Sequence, residues 1–262
     1  MKKITIVATL LMAMAFTACK SGSTESAPTQ IAATVQMFNG DGSSFVHWTP
    51  NTTLVAWDET FNPVEVTVAS VAEDTASCML QLADTAASSG VSRFVYPANA
   101  YVGNGMVNIP TVQQRSALTE DLLYYAEPRE GKVDFLPLCG LIQLHVTTPE
   151  QLASITLSTT DSLLYFSGNF TVREYPIPVI DAAEGAEHQV TLQGIDQIDF
   201  SQGADVFIQV APGYCESFQV VFQNKDGKKC TKTLKEDKSI LIERGKISSV
   251  ALGDASHPLV FE

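Results

Sequence analysis

The stretch Val133–Thr147, VDFLPLCGLIQLHVT, decides how this chain is read. It opens half-polar, gathers Phe135, Leu136, Leu138, Leu141 and Ile142, and then alternates Leu144 and Val146 with Gln143 and His145. Alternation with period two, built from large apolar and β-branched residues, predicts a strand with one face in a core. Pro137 and Gly140 predict a bend or bulge near its start, because proline cannot donate to a sheet ladder. The stretch lies near the middle of the chain, between halves of similar character. It reads as the closing strand of a first β-domain.

Working outward, short β-like runs broken by turn chemistry fill both halves. Ile31 to Phe38 is the first run, ending in the turn cluster NGDGSS (residues 39–44). Phe45 to Trp48 and Thr53 to Trp57 follow, and Val64, Val66 and Val68 alternate with Glu65 and Thr67. Ser77 to Leu82, Val91 to Tyr96, Met106 to Ile109 and Leu122 to Ala126 complete the first half. In the second, Ile155, Leu157, Leu164, Phe166, Phe170 and Val172 continue the two-fold pattern, with Gly168 as a bulge or turn. Tyr175 to Ala186 reads as loop. Val206, Ile208 and Val210 precede a turn at Ala211-Pro212-Gly213, and Lys225-Asp226-Gly227-Lys228 is a strong hairpin signal. Ile240, Ile242, Ile247 and Val250 finish the set. No segment sustains a 3.6-residue stripe beyond two turns, so the prediction is an all-β sandwich protein.

Composition bounds the function. The chain has 262 residues, 45% of them apolar and 17% charged, which is the balance of a folded protein with real cores. A formal charge of −13 gives no general means of holding a polyphosphate backbone, so nucleic acid is not an expected partner. Seven of the eleven lysines fall between Lys225 and Lys246, and this cluster reads as a hairpin edge protected from aggregation by charge.

The N-terminus carries an address. Lys2 and Lys3 precede an apolar run from Ile4 to Phe16, too short to span a bilayer, and small residues mark its break. FTAC resembles a bacterial lipobox, which makes residues 1–18 a lipoprotein signal peptide and Cys19 the lipidated residue. Residues 19–30 have the small, polar composition of a flexible tether. The remaining cysteines, Cys78, Cys139, Cys215 and Cys230, contain no CxxC pair, so neither a zinc knuckle nor a redox dithiol is supported. Cys139 reads as a buried thiol. Cys215 and Cys230 flank one hairpin, but its turn would set Cys230 opposite about Gln223, against a disulfide.

Catalytic chemistry has no foothold. His47, His145, His188 and His257 are scattered without HxxxH or HExxH spacing, and no GxSxG or GxxxxGK[ST] occurs. Asn39 to Ser43 supplies one carboxylate and no distal glutamate, so it is read as a turn rather than a calcium loop. Asp181, Glu184 and Glu187 suit a solvated loop. Trp48 and Trp57 flank a Pro-Asn turn, where they either fill the first core or form a sugar-stacking platform. We expect no enzyme, cofactor or metal.

Several phrases, taken in order, resemble the fimbrillin family of fimbrial subunit lipoproteins. They are Trp57-Asp58, Phe94-Val95-Tyr96-Pro97, Val107 to Gln113, Asp121 to Ala126, and Val133-Asp134-Phe135 leading into Gly140 to Leu144. Leu152 to Leu157, Gly168, VFIQVAPG (residues 206–213) and Leu241 to Ile247 continue the match. The resemblance implies two tandem transthyretin-like (Greek-key) β-sandwich domains, here 31–147 and 148–262. It implies export to the outer membrane and cell surface on a lipid anchor, and assembly with other fimbrial subunits, or with itself, by strand donation. Adhesion to a host or bacterial surface receptor follows from the same resemblance. Candidate donor or displaced strands are Ile31, Ala33, Val35 and Met37 at one end and Ile247 and Val250 at the other. In such relatives an arginine-specific protease removes the first strand, yet no Arg lies between Lys20 and Ser92. Thr75, Thr85 and Ser162 sit in sequences resembling the O-glycosylation sequon of fimbrillin-bearing bacteria. The alternative is a carbohydrate-binding lipoprotein of a glycan-uptake system, with Trp48 and Trp57 as its platform.

Overall fold

The computed structural model describes residues 30–36, 38, 48–82, 90–115, 121–173, 177–216, 218–234, 239–254 and 256–262. The signal, tether residues 19–29, His47 and the turn at 39–44 lie outside the described residues, while Gln30 opens the first strand.

The described strands run as follows. The first eight are β1 (Gln30–Val35), β2 (Thr53–Trp57), β3 (Pro63–Val71), β4 (Ser77–Leu82), β5 (Arg93–Tyr96), β6 (Tyr101–Gly103), β7 (Met106–Ile109) and β8 (Val112–Gln114). Next come β9 (Tyr124–Ala126), β10 (Pro128–Arg129), β11 (Lys132–Pro137), β12 (Gly140–Val146), β13 (Leu152–Thr159), β14 (Gly168–Arg173) and β15 (Val179–Ala182). The last are β16 (Gln189–Gln193), β17 (Ala204–Val210), β18 (Gly213–Cys215), β19 (Phe218–Asn224), β20 (Lys229–Leu234), β21 (Ile240–Ile242) and β22 (Ile247–Leu252). The protein is all-β, as expected.

Eight of these strands form one sheet in the order β1-β4-β3-β2-β5-β9-β11-β10, and a further pairing of β1 with β11 closes it into a barrel. In place of an open sandwich, the first half therefore has a continuous wall. Alternate residues line its interior: Leu54 and Ala56, Val64, Val66 and Val68, Leu80 and Leu82, Phe94 and Tyr96, Val133 and Phe135. Each of these strands has period two, so every second side chain is driven inward by the same loss of apolar surface.

The stretch 133–147 is two strands rather than one. β11 belongs to the barrel, whereas β12 pairs antiparallel with β17 and parallel with β22. Pro137 and Gly140 mark the passage between sheets. A Cβ at Gly140 would stand 2.7 Å from the Glu243 carbonyl oxygen, so only glycine lets the β21–β22 turn close on the chain there. β12 thus does not close the first half; it is the central strand of a sheet otherwise made by the second.

That three-stranded sheet, β17-β12-β22, shares a core with the five-stranded sheet β20-β19-β13-β16-β8. Ile142, Leu144, Ile155, Leu157, Val206, Ile208, Val220 and Phe222 interdigitate between them. First-half strands also enter second-half sheets. β8 pairs with β16, and β7 pairs with β14 in the sheet β15-β14-β7-β6. The segment read as loop from Tyr175 to Ala186 contains β15, four residues long and paired with β14. β19 and β20 form the expected hairpin about Gly227, and β20 ends its sheet with Lys229 exposed. Cys230 lies opposite Phe222, one position from the expected Gln223. Cys215 and Cys230 are buried and not joined by a disulfide, and Cys78 and Cys139 are likewise buried thiols outside any disulfide.

Candidate functional site: the seam strand β1

β1 is held on both sides. Residues Ala32 to Val35 run parallel to Lys132–Phe135 of β11, and Gln30 to Thr34 run antiparallel to Ser77–Gln81 of β4. Val35 N–H donates to the Ala76 carbonyl at 3.0 Å and Gln36 N–H to the Phe135 carbonyl at 2.8 Å. The Thr34 hydroxyl donates to the Asp134 carboxylate across the seam. Ala33 and Val35 face the barrel core, and Ile31 packs partly against it.

What this strand contributes is mostly backbone. Its inward residues are small beside the Phe and Trp of the facing wall, and its loss would remove ladder bonds more than apolar volume. A cleft of about 340 Å³ flanks it, lined by Ala32, Ala33, Val71, Cys78, Met79 and Lys132. It lies beside the register shift between Val68 and Ser70 of β3, where the wall is least regular. Burial in this wall pushes the Cys78 thiol up to about 12.

The other proposed exchange strand has a different setting. β22 is the outer strand of its sheet, so its far edge has no strand beside it among the described residues. Ile247 packs partly against the barrel core and Val250 partly against the second core. Met37, Thr85 and Cys19 lie outside the described residues. Thr75 is half-buried in a turn at φ 55°, where Asp74 accepts from Ala76 N–H, Ser77 N–H and the Ser77 hydroxyl. Ser162 is exposed in the turn after β13.

The two tryptophans are core residues, which corrects the sugar-platform reading. Trp48, 2% exposed, donates from its indole to the Ala76 carbonyl and meets Tyr96 and Phe135 edge-on inside the barrel. Trp57, 1% exposed, packs on the barrel's outer face and stacks on Tyr101 with centroids 4.6 Å apart. A stacking platform needs an open ring face, and neither has one. The histidines are likewise engaged locally. His145 meets Asp205 at 2.8 Å, His188 meets the Leu164 carbonyl at 2.7 Å, and His257 meets Asp254 at 3.2 Å. Among the described residues no three His, Cys, Asp or Glu side chains gather at metal-binding distances.

Sequence reasoning missed a buried amide lock joining the two halves. The Gln113 amide donates to the Gln209 carbonyl at 2.7 Å and accepts from Gln209 N–H at 2.9 Å, as a neighbouring strand would. The Gln209 side chain accepts from Leu123 N–H at 2.6 Å and donates to the Asp121 carbonyl at 3.0 Å. Both glutamines are almost wholly buried. A satisfied network of this kind fixes position, whereas breaking one member strands its partners.

No protein-family model matches this sequence, and no curated protein matches it. Among solved structures it resembles a fimbrial protein from Bacteroides ovatus, at 13% identity and a TM-score of 0.37, over 84% of this chain and 47% of that one. This chain therefore spans about half the length of that protein. It also resembles the tip fimbrial protein Mfa3 from Porphyromonas gingivalis, C-terminally truncated, at 12% identity and a TM-score of 0.35, over 89% and 99% of the two chains. These superpositions are loose.

Proposed function

We propose that this chain is an exported, lipid-anchored subunit of a surface fimbria, or its anchor, tip or accessory adhesin, and that it assembles by strand donation. The observation that carries this reading is β1: an N-terminal strand that closes a barrel largely through backbone bonds, beside an unfilled cleft. Displacing it would leave two open edges, β4 and β11, and a groove over an apolar core. An extended segment from a neighbour with apolar residues at alternate positions would complete both. The sequence resemblance to fimbrillins and the lipobox ending at Cys19 support export and surface display. β22, already an edge strand, is the second place where a partner strand can add. The second half, with two sheets over one core, is the part that suits a transthyretin-like sandwich. Ser162, exposed in its turn, is the favoured O-glycosylation site; an unshifted peptide mass in native material would remove it.

The test is an immunoblot of native envelopes run in SDS, unheated beside boiled. Strand-donated polymers bury complete ladders and dissociate slowly, so a ladder of bands that collapses on boiling is expected. A monomer band in both lanes would exclude a shaft role.

A further inference from the structure

A second concave feature shares no residue with the cleft beside β1. The turn after β13, the hairpin β14–β15 and the turn from β17 into β18 enclose a groove of about 390 Å³. This volume is within the range of about 300–1,000 Å³ usual for ligand sites. Tyr165, Phe170, Tyr214 and Leu163 line it together with the carboxylates of Asp161 and Asp181.

Two aromatic rings are displayed there for different reasons. Tyr214 is 55% exposed on β18, directly across from Leu241, itself 56% exposed. Leu163, at the groove rim, is 89% exposed. Three neighbouring large apolar side chains left in water mark a surface that something else covers. Tyr165 is clamped: its ring stacks on His188 with centroids 4.3 Å apart, and His188 Nδ1–H donates to the Leu164 carbonyl. The acids are equally fixed. Asp161 accepts from Leu163 N–H at 2.9 Å and its own N–H donates to the Thr159 hydroxyl. Asp181 is forked by the Arg173 guanidinium. Such supports are what hold a binding geometry before a ligand arrives.

The chemistry of the lining selects the ligand. No lysine or arginine lines the groove, so an anion gains nothing there. Asp181 is already neutralised by Arg173, which leaves Asp161 as the carboxylate of the lining available to a ligand. What remains is a set of hydrogen-bond acceptors next to an exposed aromatic face. A neutral saccharide fits both, offering C–H faces to a tyrosine ring and hydroxyl donors to carboxylate oxygens. We infer that this groove binds a terminal residue of a neutral glycan, with Tyr214 as stacking platform and Asp161 as hydroxyl acceptor. The inference rests on the adhesin reading for its biological setting and names the ligand class that reading lacks.

The experiment is calorimetric titration of the full chain with neutral mono- and disaccharides, with sialic acid and a lysine-rich peptide as charged comparators. Binding of a neutral sugar is expected, weakened about tenfold or more by Tyr214→Ala and retained by Tyr214→Phe. Asp161→Asn should weaken it as well, and Val260→Ala, exposed but outside the lining and the patch beside Tyr214, should not. Equal unfolding midpoints confirm that the variants remain folded. No binding by any neutral sugar, unchanged binding in Tyr214→Ala, or preferential binding of the peptide overturns the inference. The adhesin reading is tested separately by deleting the chain from cells that display it. Adhesion that is lost on deletion but survives Tyr214→Ala would sink the glycan groove alone. Adhesion that persists without the chain would sink the adhesin role whatever the titrations give.

Discussion

The barrel and the second-half sandwich manage their strand edges in opposite ways. The barrel has closed its wall, with β1 bonded to β4 on one side and β11 on the other. The sandwich leaves β20 and β22 at sheet ends. β20 is guarded by exposed Lys229 and by the chain terminus, since Glu262 and Lys229 exchange both backbone bonds at 3.0 Å. Among the described residues no strand lies on the far edge of β22, so a partner strand can add there beside it, whereas it can enter the barrel only by replacing β1. Addition leaves a weak, reversible contact; replacement trades one complete ladder for another and is slow to reverse. The closed region, not the open one, is therefore the better seat for a durable polymer.

The largest effect should come from removing residues 30–36. Without β1 the ladders of β4 and β11 lose a partner together and the barrel core meets water. The truncated chain should bind a hydrophobic dye, and its near-ultraviolet signal from Trp48 should collapse. A synthetic peptide of residues 30–38 added in trans should restore both. Failure of the peptide to bind would mean that the seam forms only within one chain, and the comparison with β22 would reverse.

The two cores can be weighed directly by paired substitutions. Phe135 and Phe222 are each fully buried, one in the barrel and one in the sandwich. Phe135→Ala and Phe222→Ala should each cost about 3–5 kcal/mol in denaturant titrations. If the halves unfold independently, each substitution moves one of two transitions. The amide lock and the mixed sheets predict a single transition that both move. Gln209→Leu strips acceptor and donor from Leu123 and Asp121 and should cost about 1–3 kcal/mol, splitting the transition before it lowers the midpoint. A fragment ending at Thr147 carries β12 without β17 or β22 and should not fold cleanly.

Much of the barrel was legible because its strands repeat with period two. Val64, Val66 and Val68 announce their inward face, and the structure buries all three. What alternation cannot state is which sheet a strand joins. β12 has the right pattern for either half, and its ladders with β17 and β22 commit it to the second. β15 escaped notice because four residues between a proline and an acidic run are too few to show a period. Gln209 alternates with the inward-facing Ile208 and Val210 of β17. It does point away from the core beneath that strand, but Gln113 and the backbone of Asp121 and Leu123 meet it on that face. The tryptophans left two readings open, and only three-dimensional packing closes the rings off from ligand. Of the candidate site, the identity of β1 was visible in sequence, while its double pairing depends on contacts about a hundred residues away in β11.

The smallest expected effect separates the two regions at their turns. In the barrel, Asp58 accepts from the Thr60 hydroxyl at 2.7 Å, Asn62 N–H at 3.1 Å and Thr60 N–H at 2.8 Å. These bonds, the hydroxyl's first, hold its carboxyl down to about 2 against an ordinary 3.8. In the second half, Asp254 is lowered chiefly by the His257 N–H. Both acids are depressed in the folded state, so each contributes stability that is present above its unfolded value and lost as pH falls through the folded one. Unfolding midpoints should therefore decline between about pH 4 and about pH 2, and Asp58→Asn should flatten that decline more than Asp254→Asn. Equal flattening would mean that the two turns are equivalent props. No flattening in either would place the acid sensitivity elsewhere, with the carboxylates of Asp74 and Asp199, held low by their own turn N–H donors, as the next pair to change.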